Sequence, residues 1–253
     1  MLKKPLAGLM VRTQLQRLLT DPSPYNRLWG HAALMQFGTI GEEAFREYLD
    51  GFYAGLDPVA CSTTVDLPAK RVHLDRPGGY KVDVASLHGD VSAAEPKGRF
   101  DFWARRFGLL RYLGIRSDVL ILRAGDQVPP HGHSQVVSGF YLLEGEVAVR
   151  HYDRVEEFAD HVMLRKAIDT VMGPGGYTTN SEYCRNVHWL LGIAPTSYLF
   201  RFTVTDVPVR SFNAPAHHSD RAYVDPTVPP DASGLIPAPY ITSAAAKQVL
   251  FVR

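Results

Sequence analysis

The second half of the chain constrains the fold most. From Ser117 onward, short β-prone runs follow one another closely: Asp118 to Leu122, Gly139 to Leu143, Val147 to His151, Val162 to Ala167, Val187 to Leu191 and Tyr198 to Val204. Gly, Pro or Asn punctuates much of the sequence between them. Closely spaced short strands of this kind predict an all-β sandwich or barrel.

The first third has a different period. Val11, Leu15, Leu18 and Leu19 fall on one helical face, and that segment stops at Asp21-Pro22-Ser23-Pro24. Arg27 to Phe37 and Glu42 to Tyr53 read as two more helices, the second after a Gly. Residues 54–78 read as irregular, Gly79 to Leu87 as a strand, and Phe100 to Leu113 as an aromatic-rich helix. The last 48 residues carry seven prolines and no clear periodicity until Ala244 to Val252, so they are expected to wrap over the barrel. The expected organisation is a single domain. It has a helical N-terminal extension with a first strand (1–113), a barrel core (114–206) and a Pro-rich C-terminal wrap (207–253).

Charge and cysteine content narrow the function classes. A net charge of +1 gives no electrostatic reason to expect nucleic acid or an anionic membrane as partner. Cys61 and Cys184 are the only cysteines, which argues against a disulfide framework and for a reducing cytoplasm. The apolar stretch after Lys3 and Lys4 is broken at Arg12 and Arg17, too soon for a signal-peptide core or a span. The exposed edges expected of a β-fold make a homodimer an open expectation.

Chemistry concentrates in Pro129 to Glu146, PPHGHSQVVSGFYLLEGE. A period of two puts His131 and His133 on one face of a strand, where both imidazoles can reach one ion if that face points into a barrel. On a polar outer face the same pair would carry no chemistry. Gly125, His131, His133 and Gly145 resemble the first motif of the cupin superfamily, which runs Gly, His-x-His, a spacer, Glu, six residues, Gly. This resemblance implies a mainly β cupin fold, a double-stranded β-helix or jelly-roll barrel, holding a metal. The motif's Glu falls at Ser138, so the usual carboxylate ligand is absent. The second cupin motif resembles Pro174-Gly175-Gly176, but its ligand position falls at Thr179, and His188 is the candidate third ligand instead.

Asn186-Val187-His188, then Pro195 and Tyr198-Leu199-Phe200, resembles the third-ligand strand of the three-histidine thiol dioxygenases, of the cysteamine dioxygenase and plant cysteine oxidase type. The resemblance covers roughly residues 117–206. It implies Fe(II) on His131, His133 and His188, with a small thiol and O2 as substrates; histidine-only sites also accept Ni, Cu and Zn. Ser138 and Tyr141 are candidate supporting residues, and strict alternation favours Ser138 as the inward one. Arg123 either meets a substrate carboxylate or lies on the surface. His151, flanked by Arg150 and Asp153, reads as a surface residue, and His31, His73 and His88 as structural or solvated. Three readings follow: a thiol dioxygenase, a three-His oxygenase of an enolate-forming compound, and a ligand-binding cupin without turnover.

Overall fold

A computed structural model describes residues 13, 15–64, 82–83, 114–207 and 221–251. The expected helix at Phe100 to Leu113, most of the strand at Gly79 to Leu87, and His73, His88, His217 and His218 lie outside those residues.

Two sheets form the body. The first, sheet A, contains β1 (Val82–Asp83), β2 (Ile115–Arg123), β9 (Thr196–Val204), β4 (Val137–Glu144) and β7 (Tyr177–Asn180), in that spatial order. The second, sheet B, runs β10 (Arg221–Tyr223), β3 (Gln127–His133), β8 (Val187–Gly192), β5 (Val147–Glu157), β6 (His161–Met172) and β11 (Ile236–Pro239). All pairings are antiparallel. Taken alone, β2 to β9 make the orders β2-β9-β4-β7 and β3-β8-β5-β6, the two four-stranded sheets of a jelly roll built from Greek keys. The turn from β4 to β5 needs Gly145. Its φ is +92°, and a Cβ there would lie 2.6 Å from the Thr196 carbonyl oxygen.

Alternation sorts the strand residues into two cores. Val119, Ile121, Val137, Tyr141, Phe200 and Phe202 face away from the barrel and pack against the helices. Leu122, Phe140, Leu142, Val149, Leu190 and Leu199 face inward and pack together at one end of the barrel. The helical layer consists of residues 15–19, α1 (Pro24–Gln36), α2 (Glu42–Ala54) and α3 (Pro58–Thr64). The Ser23 hydroxyl accepts from the Asn26 N–H at the start of α1, and Glu42 and Glu43 sit in the first turn of α2, where the helix dipole favours them. Phe45, Leu49, Phe52 and Tyr53 are the buried stripe of α2. The Tyr53 hydroxyl donates to the Gly139 carbonyl (3.0 Å) and accepts from the Phe202 N–H (3.2 Å), tying α2 to two neighbouring strands. The α3 helix corrects the irregular reading of 54–78. It is one short piece rich in β-branched residues, which periodicity does not reveal.

The C-terminal residues add strands as well as covering a face. β10 extends sheet B beside β3, β11 extends it beside β6, and Val224, Ile236 and Ala238 cover Tyr152 and Val187. A single turn, α4 (Ser243–Ala246), follows. No helix among the described residues is long and apolar enough to cross a membrane.

Two glycines, one at the helix–sheet contact and one on the exposed face of α2, should respond in opposite directions. A Cβ on Gly139 would meet the Tyr53 ring at 2.5 Å and Thr179 at 3.0 Å, so Gly139→Ala is expected to cost about 1–3 kcal/mol by overpacking. Gly51 sits exposed inside α2 with nothing within 4 Å of its missing Cβ, so Gly51→Ala should gain about 0.5–1 kcal/mol. Urea unfolding of both variants checks the pair.

Candidate metal centre

β3 is the strand on which the site is set. Pro129 and Pro130 offer no N–H to a ladder, and the β3–β8 register shifts between Val128 and His131. Beyond that irregularity His131 pairs with His188, His188 pairs with His151 across β5, and Tyr223 of β10 pairs with His131. The four side chains make one row across sheet B: Tyr223, His131, His188, His151. His188 shares its face with Leu190, and His151 shares its face with Val149, so the row points into the barrel.

His131, His133 and His188 converge. Their candidate ligand nitrogens all lie within 4.8 Å of one another, and the ring centroids are 4.6 Å (131–133), 4.3 Å (131–188) and 5.4 Å (133–188) apart. Nδ1 of His131 is 2.6 Å from the Pro129 carbonyl, and Nδ1 of His188 is 3.2 Å from the Asn186 carbonyl. A carbonyl only accepts, so each Nδ1 carries the proton and each Nε2 keeps its lone pair for an ion. Burial, reinforced by the neighbouring imidazoles, holds His131 and His188 well below the usual histidine range. Both are therefore neutral near pH 7, the state in which imidazole ligates a metal. Among the described residues no Asp, Glu or Cys joins the cluster. This donor set can hold a divalent transition metal, and neutral nitrogens alone do not select which one.

The backbone of His133 is clamped. Asn186 donates to the His133 carbonyl (2.7 Å) and to the Ser181 carbonyl (3.0 Å), while its side-chain oxygen accepts from the His133 N–H (3.2 Å). Gly132 permits this approach, because a Cβ there would collide with the Asn186 amide. Asn186 is a positioning residue that the sequence reading did not single out.

The other candidates fall on different sides of the sheets. Ser138 is buried on the inner face with Phe140, whose ring lies 5.7 Å from that of His188, and its hydroxyl donates to Asn180 Oδ1 at 2.7 Å. Tyr141 is a correction to the candidate list. It lies on the helix side of β4, stacks on Tyr53 at 5.8 Å, and donates to the Leu56 carbonyl (2.9 Å). Arg123 is a second one. It shares the outer face of Val119 and Ile121 and ends β2 at the turn beside Gly192, four residues beyond His188, roughly 13 Å at 3.3 Å per residue. His151 is a third. It is fully buried, its Nδ1 donates to the Arg185 carbonyl (3.0 Å), and its Nε2 accepts from Thr178 (3.1 Å). The phase Val147, Val149, His151 was the signal for an inward side chain; Arg150 alternates to the other face, and Asp153 lies beyond a register shift that follows His151.

The strand order makes the barrel a double-stranded, antiparallel jelly roll, and β3 turns imidazoles into it. No protein-family model and no curated protein sequence matches the chain. Solved structures of similar fold include procruciferin, an 11S globulin from Brassica napus (13% identity, 40% of this chain, 23% of that one, TM-score 0.31). The Cnp3 cupin domain of Schizosaccharomyces pombe is another (17%, 37% of this chain, 57% of that one, TM-score 0.28). A third is the DMSP lyase DddQ from Ruegeria pomeroyi (14%, 41% of this chain, 45% of that one, TM-score 0.28). The chain spans less than two thirds of each of these proteins.

The buried histidines give the metal-free protein a defined pH response. Burial lowers His151 from 6.5 to about 4. Between those values the unfolded chain binds a proton that the native state does not, so stability is full above pH 6.5 and falls on acidification. At pH 4 the His151 share is about 3 kcal/mol, from 2.5 units at 1.36 kcal/mol each, and His131 and His188 act with the same sign. Urea titrations from pH 7 to 4 should show this acid limb, and His151→Gln should make it shallower.

Proposed function

We propose that this chain is a mononuclear Fe(II) dioxygenase that converts a small thiol into a sulfinic acid. The observation that carries the reading is the donor set: three convergent neutral imidazoles, with Ser138 standing where a cupin usually has its carboxylate ligand. A ferrous ion held by His131, His133 and His188 would supply the one-electron chemistry that dioxygen needs in order to react with a thiol.

The protein's own residues prepare the other conditions. Neutral ligands leave the charge of a divalent ion to be balanced by the substrate, which favours a thiolate over a neutral donor. The carbonyls of Pro129 and Asn186 fix the tautomer and plane of two imidazoles. Phe140, Leu190 and Val149 line the barrel behind His188 and keep water from that side. The overall reaction is R–SH + O2 → R–SO2H. Both oxygen atoms end on sulfur, which gives up four electrons, and the thiol proton ends on the sulfinate or in solvent.

The test begins with anaerobic Fe(II) reconstitution and metal analysis of wild type beside His188→Ala. One iron per chain is expected in the wild type, with metal and oxygen uptake lost together in the variant. Uptake is then followed with cysteine, cysteamine, 3-mercaptopropionate and an N-terminal-Cys peptide. Stoichiometric iron without uptake on any of them removes the thiol reaction and leaves the metal site. Equal, sub-stoichiometric metal in both proteins removes the iron centre. The same metal analysis decides among Fe, Ni, Cu and Zn.

A further inference from the structure

The two histidines of β3 face the barrel only because that strand carries one extra residue. Val128 pairs with Leu190, and both side chains belong to the inward core. Strict alternation from Val128 would send Pro130 and Gly132 inward and His131 and His133 outward. Between the Val128–Leu190 pair and the His131–His188 pair, β3 places two residues, Pro129 and Pro130, where β8 places one, Trp189. This is a β-bulge, and it reverses the phase of the strand beyond it. Its carbonyls belong to the centre: that of Pro129 meets His131 Nδ1 (2.6 Å), and that of Pro130 accepts the Val224 N–H (3.2 Å). A bulge made of two prolines has no N–H of its own with which to hold to β8.

The fastening comes from outside the barrel. Trp189, opposite the bulge, turns its side chain to the outer face and is fully buried there. The segment after α4, residues 247–251, lies against it. The indole donates to Gln127 Oε1 (2.9 Å), and the Gln127 amide donates in turn to the carbonyls of Lys247 (2.8 Å) and Val249 (3.4 Å). Phe251 packs edge-on against the indole with ring centroids 4.7 Å apart, and the Arg150 guanidinium lies over both rings. Gln127 therefore joins β3, β8 and the C-terminal segment through one side chain. Lys247, Gln248 and Leu250 are exposed, so the segment's hold concentrates on the strand pair that carries the bulge.

We propose that residues 247–251 are a positioning strap for the metal centre: by pinning Trp189 and Gln127 they hold the β3 bulge, and the bulge holds His131 and His133 inward. A β3 relaxed to regular pairing would set His131 opposite Val187 and turn both imidazoles out of the barrel. Loosening the strap should therefore release metal while the barrel stays folded. This inference rests on the metal centre of the proposed function and not on its thiol chemistry.

Point variants of the full chain test it. Gln127→Glu keeps the acceptor for the Trp189 indole but loses both donations to the strap carbonyls, and Phe251→Ala removes the ring. Phe251→Tyr keeps the ring, and Leu250→Ala truncates an exposed neighbour. Each protein is loaded with Co(II) and mixed with excess EDTA, and the decay of the cobalt d–d absorption gives the release rate. Hydrogen exchange of the metal-free proteins compares β3 with β2 and β9. Gln127→Glu and Phe251→Ala should release cobalt about tenfold faster than wild type. Their exchange should quicken in β3 and the strap while β2 and β9 keep wild-type protection. Phe251→Tyr and Leu250→Ala should match wild type in both measurements. Unchanged cobalt release, unchanged exchange in β3, exchange that quickens alike in both sheets, or a Leu250→Ala variant as impaired as Phe251→Ala would each overturn the strap. If wild type retains no cobalt, the metal centre falls and exchange alone decides the strap. Quickening confined to β3 and residues 247–251 then sustains its grip on the bulge, and any other pattern overturns it.

Discussion

In sheet B, β8 is hydrogen-bonded on both sides, to β3 and to β5, and this double register holds His131, His188 and His151 in one row. Side chains alternate between faces, so a slip of one residue would turn His188 outward and bring Val187 or Trp189 into the barrel. Trp189 opposes that slip. It is fully buried on the outer face, its indole donates to Gln127 Oε1 (2.9 Å), and Phe251 packs on it at 4.7 Å. Burying a large aromatic is worth roughly 4–6 kcal/mol by area, an upper figure that a slipped register would forfeit. The outer face of the strand thus sets the geometry of the inner one.

The helical layer reaches the same centre by another route. The loop between β7 and β8 returns the chain to His188, and α2 holds it at two points. Ser181 donates to Glu43 (2.5 Å), and the Glu182 N–H donates to Glu42. Burial pushes the Glu42 carboxyl above its ordinary range, although the loop's hydrogen bonds oppose the shift. Glu182 in turn accepts from the Gln135 N–H (2.7 Å), and Asn186 clasps His133. A line of hydrogen bonds therefore runs from the first turn of α2 to a metal-ligand candidate. The described residues of the N-terminal third contribute to the centre without supplying a ligand.

Much of this was legible in the sequence, and the failures have identifiable causes. The period-two runs located the barrel strands, and phase alone put Ser138 inward and Tyr141 on the opposite face. The same argument places Arg123 with Val119 and Ile121, away from the centre. His151 was misread because charged neighbours were taken as a sign of exposure. Arg150 alternates to the outer face, where it lies over the Phe251 ring at 4.3 Å, and Asp153 receives the Arg185 N–H (2.7 Å). The row Asn180, Ser138, Thr203 was not legible, because it exists only once three strands distant in sequence are paired in register. Tyr223 and Arg221 were hidden for a related reason. A Pro-rich tail has no period, and only pairing with β3 brings them beside His131 and His133.

The serine at position 138 connects these observations through charge. A divalent ion among three neutral imidazoles keeps its full charge inside a low-dielectric barrel, where an uncompensated charge is very costly. A glutamate on β4 would offset half of it. Ser138 offers no charge, and it spends its proton on Asn180. Asp118, on the same inner face, is committed to Arg201, and that pair is neutral as a unit. Compensation for a metal here must therefore come from the bound molecule, which favours a ligand entering as an anion at the ion. Ser138 also aligns the Asn180 amide, whose Nδ2 has no acceptor among the described residues. A serine at this inward position therefore sets both the charge of the wall and its hydrogen-bonding character.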